Sequence, residues 1–256
     1  MANSKYEYVK SFELPDNLLP STWIIVRIDG RGFRKFSEAH EFEKPNDENA
    51  LMLMNSCAIS LLDDFPDIVF AYGVSDEYSF VFKKSSQIYK RRASKILSTC
   101  VSLFSSTYVM KWAEFFPNKP LKYAPSFDGR VVLYPTVAHV HDYLSWRQVD
   151  CHINNQYNTC LWTLVKSGKT NEEAQKFLKG TQKQEKNEIL FQQFGINYNT
   201  LPPMFRKGSC VFREEVHEIS KSKKVKKKVV VDHCDIICPG DMHFWNEHPY
   251  ILSDDQ

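Results

Sequence analysis

Two short segments constrain the fold most. Trp23-Ile24-Ile25-Val26-Arg27-Ile28-Asp29-Gly30 and Phe70-Ala71-Tyr72-Gly73-Val74-Ser75-Asp76-Glu77-Tyr78-Ser79-Phe80-Val81-Phe82 are apolar, β-branched and aromatic runs, and each delivers a carboxylate where the run breaks. Such composition favours strands. Buried side by side in one sheet, the runs bring Asp29 close to Asp76 and Glu77. Crowded acidic groups repel one another, and a bound divalent cation is the usual remedy. Two aspartates on neighbouring strands can bridge two magnesium ions, about 3.5–4 Å apart, for in-line displacement at phosphorus. Glu77 either adds a ligand or supports those that do. Taken singly, each acidic segment is also an ordinary turn signal.

The rest of the chain supplies a matching order of elements. Residues 22–29 read as a strand, and Asp47 caps a helix whose apolar face carries Leu51, Met54, Cys57, Ile59 and Leu61. Residues 67–83 read as a hairpin with Val74-Ser75-Asp76 near its tip, residues 87–116 as a long helix and residues 127–134 as a strand. The resulting β-α-β-β-α-β order is ferredoxin-like, an α+β fold in which the first and third strands are central neighbours. The N-terminal residues to Pro20 read as an arm anchored by Phe12 and Leu14. After Pro135 the pattern changes. Residues 137–167 are mainly helical, Glu172 to Phe194 holds two further helical stretches, and residues 209–219 and 225–237 form two strands joined by a lysine run. This divides the chain into a palm-like unit, residues 1–136, and a helical and β-hairpin extension, residues 137–256, packed together.

A length of 256 residues with 43% hydrophobic content supports a real core. The net charge is only +2, yet basic residues cluster at Lys221-Ser222-Lys223-Lys224-Val225-Lys226-Lys227-Lys228 and at Lys83, Lys84, Lys90, Arg91, Arg92 and Lys95. Local fields of this kind steer polyanions more than net charge does. The lysine run reads either as a tip that attracts RNA phosphates or nuclear import, or as a solvated turn. Seven scattered cysteines and a polar, charged beginning point to a reducing compartment, cytoplasmic with nuclear or mitochondrial pools open. No apolar stretch approaches the ~20 residues of a membrane span.

Other side chains have functional and structural readings side by side. Gly30 and Gly32 let backbone come close to a ligand, and Arg31 and Arg34 sit in the same turn. Lys44 precedes a helix, while Arg91, Arg92 and Lys95 lie on another. These cations either grip a triphosphate or cover a solvated face. Arg130 begins a strand and is a candidate for a 5′-phosphate. His152, Asn154, Asn155 and Asn158 fall in a helical stretch, with 155 and 158 on the face of His152. They either read base edges and ribose hydroxyls or form a buried polar network. His233, Cys234, Cys238 and His243 have no regular zinc spacing, and buried thiols and surface imidazoles are the better reading.

The strings Arg27-Ile28-Asp29-Gly30-Arg31-Gly32-Phe33, His40-Glu41-Phe42-Glu43-Lys44-Pro45-Asn46-Asp47, Ser75-Asp76-Glu77-Tyr78-Ser79-Phe80 and His152-Ile153-Asn154-Asn155-Gln156-Tyr157-Asn158-Thr159 resemble the histidine-tRNA guanylyltransferase family. The resemblance runs from about residue 5 to beyond residue 240. It implies a polymerase-like palm that adds guanosine to the 5′ end of tRNA(His) in the 3′-5′ direction. ATP would first adenylylate the tRNA 5′-phosphate. The GTP 3′-hydroxyl would then displace AMP, and pyrophosphate would be removed. By the same resemblance, Asp29, Asp76 and the Gly30 carbonyl hold two Mg2+ ions. Asp29, Gly30, Arg31, Gly32, Phe33, Arg34, Lys44, Ser75, Asp76, Arg91, Arg92 and Lys95 surround the nucleotides. Arg130, His152, Asn154, Asn155, Asn158, Lys186 and Lys207 contact tRNA. The family usually has leucine in place of Gln156 and often histidine in place of Arg34. An anticodon and an acceptor end are farther apart than the compact radius of a chain this size, so a homo-oligomer, a tetramer by the resemblance, is implied. Two alternatives use the same sheet. A nucleotidyl cyclase also carries paired carboxylates but needs no tRNA contacts. A non-catalytic RNA-binding module would read bases with sheet aromatics such as Tyr78 and Phe80.

Overall fold

Strand β1 (Trp23–Gly30) alternates its side chains between two buried faces, and that alternation organises the molecule. The structure, a computed structural model, describes residues 4–216, 226–237 and 242–253. After β1 come α1 (Phe33–Ala39), α2 (Glu48–Asp64), β2 (Ile68–Val74), β3 (Glu77–Phe82), α3 (Ala93–Phe115) and β4 (Phe127–Tyr134). The Asp47 side chain caps α2 by accepting from the Ala50 amide. These elements form the ferredoxin-like order β4-β1-β3-β2, with every pair antiparallel. The second half follows with α4 (Val137–Lys166), α5 (Asn171–Leu178), α6 (Lys183–Glu188), α7 (Pro203–Lys207), β5 (Ser209–Val216), β6 (Lys226–Asp232) and α8 (His243–Glu247). Strand β5 pairs with β2 and β6 with β5, so one six-stranded sheet runs through both halves among the described residues.

Ile24, Val26 and Ile28 face α2 and α3, where they join Tyr78, Phe80, Phe82, Leu61 and Phe104 in one core. Trp23 and Ile25 point the other way, against Leu144 of α4 and Phe244 and Trp245 of α8. A third cluster joins the far half of α4 to α5 and the turn after α6, through Leu164, Leu178 and Leu190. Burial on both faces fixes the strand register, because a one-residue slip would turn Arg27 and Asp29 into an apolar core.

Three expectations are corrected. The helix expected from residue 87 begins at Ala93. Before it, Tyr89, Lys90 and Arg91 adopt positive φ of 48°, 54° and 58°. The reason is Arg91, only 3% exposed. Its guanidinium donates to the carbonyls of Ser86 (2.9 Å), Leu19 (2.6 Å) and Thr22 (3.0 Å). The arm is not anchored by Phe12 and Leu14, which are 77% and 89% exposed. Asp16 anchors it instead, because its carboxylate accepts from the Ser94 amide in the first turn of α3 (2.9 Å). Of the lysine run, Lys226, Lys227 and Lys228 belong to β6, and the expected tip at residues 221–225 lies outside the described residues. No helix among the described residues is long and apolar enough to cross a membrane.

Arg91→Ala removes a charged donor from three carbonyls, of which that of Leu19 keeps the Thr22 hydroxyl. It should lower unfolding stability by about 3 kcal/mol in urea titrations while leaving the nucleotide affinity of the folded protein unchanged. Unchanged stability with weakened nucleotide binding would return Arg91 to the phosphate-binding role.

Candidate active site

The end of β1 and the β2–β3 turn meet at one point. Asp29 lies directly opposite Glu77 on β3 and Asp128 on β4, so three carboxylates share one level and one face of the sheet. Asp76 sits in the two-residue turn, closed by the Val74–Glu77 pair. Ser75 takes φ 53° there and donates its hydroxyl to Asp76 Oδ1 (3.0 Å). The Gly30 amide donates to the Asp76 carbonyl (3.0 Å), which fastens the turn to the end of β1. A methyl group on Gly30 would stand 2.7 Å from Asp76 Oδ2 and collide with the Phe33 ring. Glycine is therefore required for the Asp76 carboxylate to lie over the backbone at the end of β1.

Charge at this point is unbalanced. Burial pushes the Asp76 carboxyl up to about 6, the neighbouring Asp29 charge adds to the rise, and the hydrogen bond from Ser75 opposes it. Burial and Asp128 also raise Asp29, against Arg27, Arg130 and Arg147. Burial raises Glu77 as well, but here the cations are in contact. Arg147 Nη1 lies 3.1 Å from Oε2 and 3.3 Å from Oε1, and Arg27 Nε lies 3.9 Å from Oε2. Glu77, expected among the catalytic carboxylates, is thus the one whose charge the protein itself neutralises. Asp29 and Asp76 remain the acidic pair.

A cleft of about 470 Å³ opens beside Asp76. Phe33, Arg34, Lys44, Ser75 and Asn158 line it, together with Trp162. Lys44 donates to Ser37 Oγ (2.8 Å), and burial lowers its pKa against the nearby Glu38, Asp47 and Asp76 charges. Gly32 begins α1 from the left-handed region (φ 69°), which turns the chain from β1 into the helix lining the cleft. Arg31 is exposed, and its amide donates to the Ser126 carbonyl (2.8 Å). The Phe33 side chain belongs to the core, stacked on Phe36.

Other expected contacts fall elsewhere in the chain. Arg91, Arg92 and Lys95 do not line the cleft. Arg91 is buried among carbonyls, Arg92 pairs with Asp16 (3.4 Å), and Lys95 lies over the Tyr89 ring (5.3 Å). Arg130 is exposed directly opposite Arg27 and acts electrostatically on Asp29. The His-Asn motif does not present one face. Asn154, Asn155 and Asn158 border a small cavity next to the cleft. Asn155 is a buried tie that donates to the Tyr198 hydroxyl and accepts from Asn46, both at 2.9 Å. His152 turns away toward Asp235 (3.7 Å), where Lys207 also reaches (2.6 Å). Burial lowers the His152 pKa, Asp235 opposes that, and Lys183, Arg206 and Lys207 reinforce it, so these groups form a basic cluster around Asp235. Lys186 donates to the Thr181 carbonyl (2.6 Å). Gln156 is buried and donates to the Lys183 carbonyl and Asn187 Oδ1 (3.1 and 2.7 Å), a polar tie between α4 and α6. Among the described residues no three His, Cys, Asp or Glu side chains could together hold a metal ion, and His233 is bonded to the Gly208 carbonyl. Cys238 lies outside the described residues.

Sequence reasoning missed Arg27 and Arg147 as parts of the site. Arg27 carried a signal, since it is two residues from Asp29 and shares its face. Arg147 carried none, because its contact with Glu77 spans 70 positions.

The donors fit magnesium. The Asp76 carboxylate lies over a backbone position that only glycine can occupy, beside an open cleft, and the Asp29 charge, one residue before that glycine, acts on it. Two oxygens from side chains, with backbone, phosphate or water completing the shell, are the usual donor set for this ion.

The family model for tRNAHis guanylyltransferase (Thg1) matches residues 6–135, and the Thg1 C terminal domain matches residues 138–238. An Arabidopsis thaliana protein, tRNA(His) guanylyltransferase 1, is 61% identical over 249 residues, 96% of this chain and 43% of the relative. The chain therefore spans less than half of that relative's length. A Dictyostelium discoideum protein described as a probable tRNA(His) guanylyltransferase is 56% identical over 99% of both chains. The crystal structure of the Saccharomyces cerevisiae tRNA(His) guanylyltransferase superposes with a TM-score of 0.78 at 52% identity, covering 81% of this chain and 93% of that one.

The raised Asp76 pKa has a pH signature. An unfolded aspartate releases its proton near 3.9, whereas folded Asp76 holds it to about 6. The metal-free protein therefore loses stability as pH rises from about 4 to about 6. Asp76→Asn removes that loss. In chelator, urea unfolding should find the variant more stable than wild type at pH 7.5, by up to about 3 kcal/mol, and no more stable at pH 4. A divalent cation should stabilise wild type and not the variant.

Proposed function

We propose, because the chain belongs to the tRNAHis guanylyltransferase family, that it adds a guanosine to the 5′ end of tRNA(His). The single observation that carries the chemistry is the Asp29–Asp76 pair beside the cleft. A phosphate oxygen at the tRNA 5′ end attacks the α-phosphorus of ATP, and pyrophosphate leaves. The 3′-hydroxyl of GTP then attacks the tRNA 5′-phosphorus, and AMP leaves. Removal of pyrophosphate from the new 5′ end completes the addition.

Both steps are displacements at phosphorus, so one constellation serves both. Bound at Asp29, Asp76 and the Gly30 carbonyl, two magnesium ions would lower the pKa of an attacking hydroxyl and stabilise the leaving oxygen. The chain's own groups do the rest. Lys44 and Arg34 offset phosphate charge inside the cleft, Arg34 as a fork and Lys44 as a point charge. Ser75 and the glycine-bearing turn at Gly30 and Gly32 leave backbone close to the nucleotide. Arg130, next to Asp29 and outside the cleft, suits the incoming 5′-phosphate. The basic surface of His152, Lys183, Arg206 and Lys207 suits a distant part of the tRNA, the anticodon by family resemblance. An anticodon and an acceptor end lie farther apart than the compact radius of a chain this size, which favours a homo-oligomer, a tetramer by the same resemblance, in which one subunit binds the anticodon and another acts on the end.

The test uses labelled GTP, ATP, magnesium and 5′-monophosphorylated tRNA(His). Label at the tRNA 5′ end supports this reading, cyclic GMP points to a cyclase, and binding without turnover points to a non-catalytic module. Asp29→Ala and Asp76→Ala should each cut both steps by at least about 10²-fold, with unchanged circular dichroism. Near-normal transfer by either variant would remove the metal assignment.

A further inference from the structure

Trp146 belongs to none of the groups described so far. It sits on α4 beside Arg147, and it is 52% exposed although Tyr143 and Leu144 before it are buried. Single exposed apolar residues are common. This one is held in place. The Arg147 guanidinium lies 3.5 Å from the indole centroid and the Arg27 guanidinium 5.8 Å. Tyr143 meets the ring edge-on at 6.0 Å, and its hydroxyl is fixed by Ser79 (2.7 Å). Arg147 is itself fixed by Glu77 and Asp150 (3.1 and 3.2 Å). The indole is therefore an oriented aromatic surface, and its orientation is tied to the carboxylate end of the sheet.

Its surroundings suit a nucleic-acid end. Arg27 and Arg130 face each other across β1 and β4, and both act on Asp29. None of Trp146, Arg27 and Arg130 lines the nucleotide cleft. The reacting pair thus has two approaches, a cleft that suits a triphosphate and an aromatic-cationic surface outside it. Aromatic rings flanked by arginines bind bases by stacking and phosphates by charge.

We propose that Trp146 is the stacking platform for the outermost base at the 5′ end of the acceptor RNA, with Arg27 and Arg130 taking the adjacent phosphates. This deepens the proposed function and rests on it. Stacking sets the height of the terminal nucleotide, so its 5′-phosphate is presented to the carboxylate pair without any base-edge reading. Trp146 is then a positioning residue for the acceptor.

The test measures binding without triphosphates, so that no turnover intervenes. Wild type, Trp146→Ala and Trp146→Phe are titrated with 5′-monophosphorylated tRNA(His), either intact or abasic at its first nucleotide. Trp146→Ala should weaken binding of intact RNA about 10-fold, and Trp146→Phe should restore most of it. The abasic RNA should bind wild type equally poorly, with no further loss in Trp146→Ala. Triphosphate affinity should not change. Equal loss on both RNAs, or no loss, overturns the proposal. So does dissociation of the oligomer by Trp146→Ala in sedimentation velocity, which would assign Trp146 and the exposed Val149 and Ile153 to a contact between copies of the chain. Wild type that binds RNA with this pattern but transfers no nucleotide would defeat the functional reading and leave the stacking site standing.

Discussion

Two like charges held together by backbone hydrogen bonding set the terms for everything else. The Gly30 amide grips the Asp76 carbonyl, and the β1–β3 register puts Asp29 beside the same turn. Both strands are buried on two faces, so the frame cannot easily yield to the repulsion. The nearby arginines do not cancel it, because Arg147 and Arg27 make their contacts with Glu77. What remains is a rigid pair of carboxylates with a deficit of positive charge, next to a cleft large enough for a nucleotide's phosphates. A site built on strands in this way is better fixed than one built on loops.

Helix α4 connects this pair with the rest of the chain. Its 30 residues extend about 45 Å. Its first half packs Leu144 on the sheet and directs Arg147 at Glu77. Its second half passes the cleft with Asn158 and Trp162, while His152 faces the basic surface around Asp235. The buried Asn155, bonded to Asn46 and Tyr198, ties the middle of the helix to the loop that carries Lys44. Strand β5 adds a second link by pairing with β2. The two halves of the sequence therefore share one sheet and one cleft.

The legible features were those decided by local composition and capping chemistry. The apolar, β-branched and aromatic composition of β1 and β3 marked the strands, their breaks marked Asp29 and Asp76, and Asp47 marked the start of α2. Features decided by distant contacts were not legible. Arg91 reads as a phosphate ligand by type, yet it is consumed by carbonyls of a segment about 70 residues earlier. Phe12 and Leu14 read as anchors by hydrophobicity, yet Asp16 anchors the arm through α3. The His-Asn motif read as one face because helical spacing says nothing about which neighbour claims each residue. Arg147 and Trp146 gave no signal, since their roles come from the packing of α4 over the sheet.

Crystals grown with manganese and a non-hydrolysable triphosphate would test the central claim most directly, by anomalous scattering. The account predicts a manganese peak about 2.1 Å from one oxygen of Asp29 and one of Asp76, the spacing of a hard divalent cation. A cation bound to Glu77 or to triphosphate alone, with the two aspartates turned apart, would contradict it.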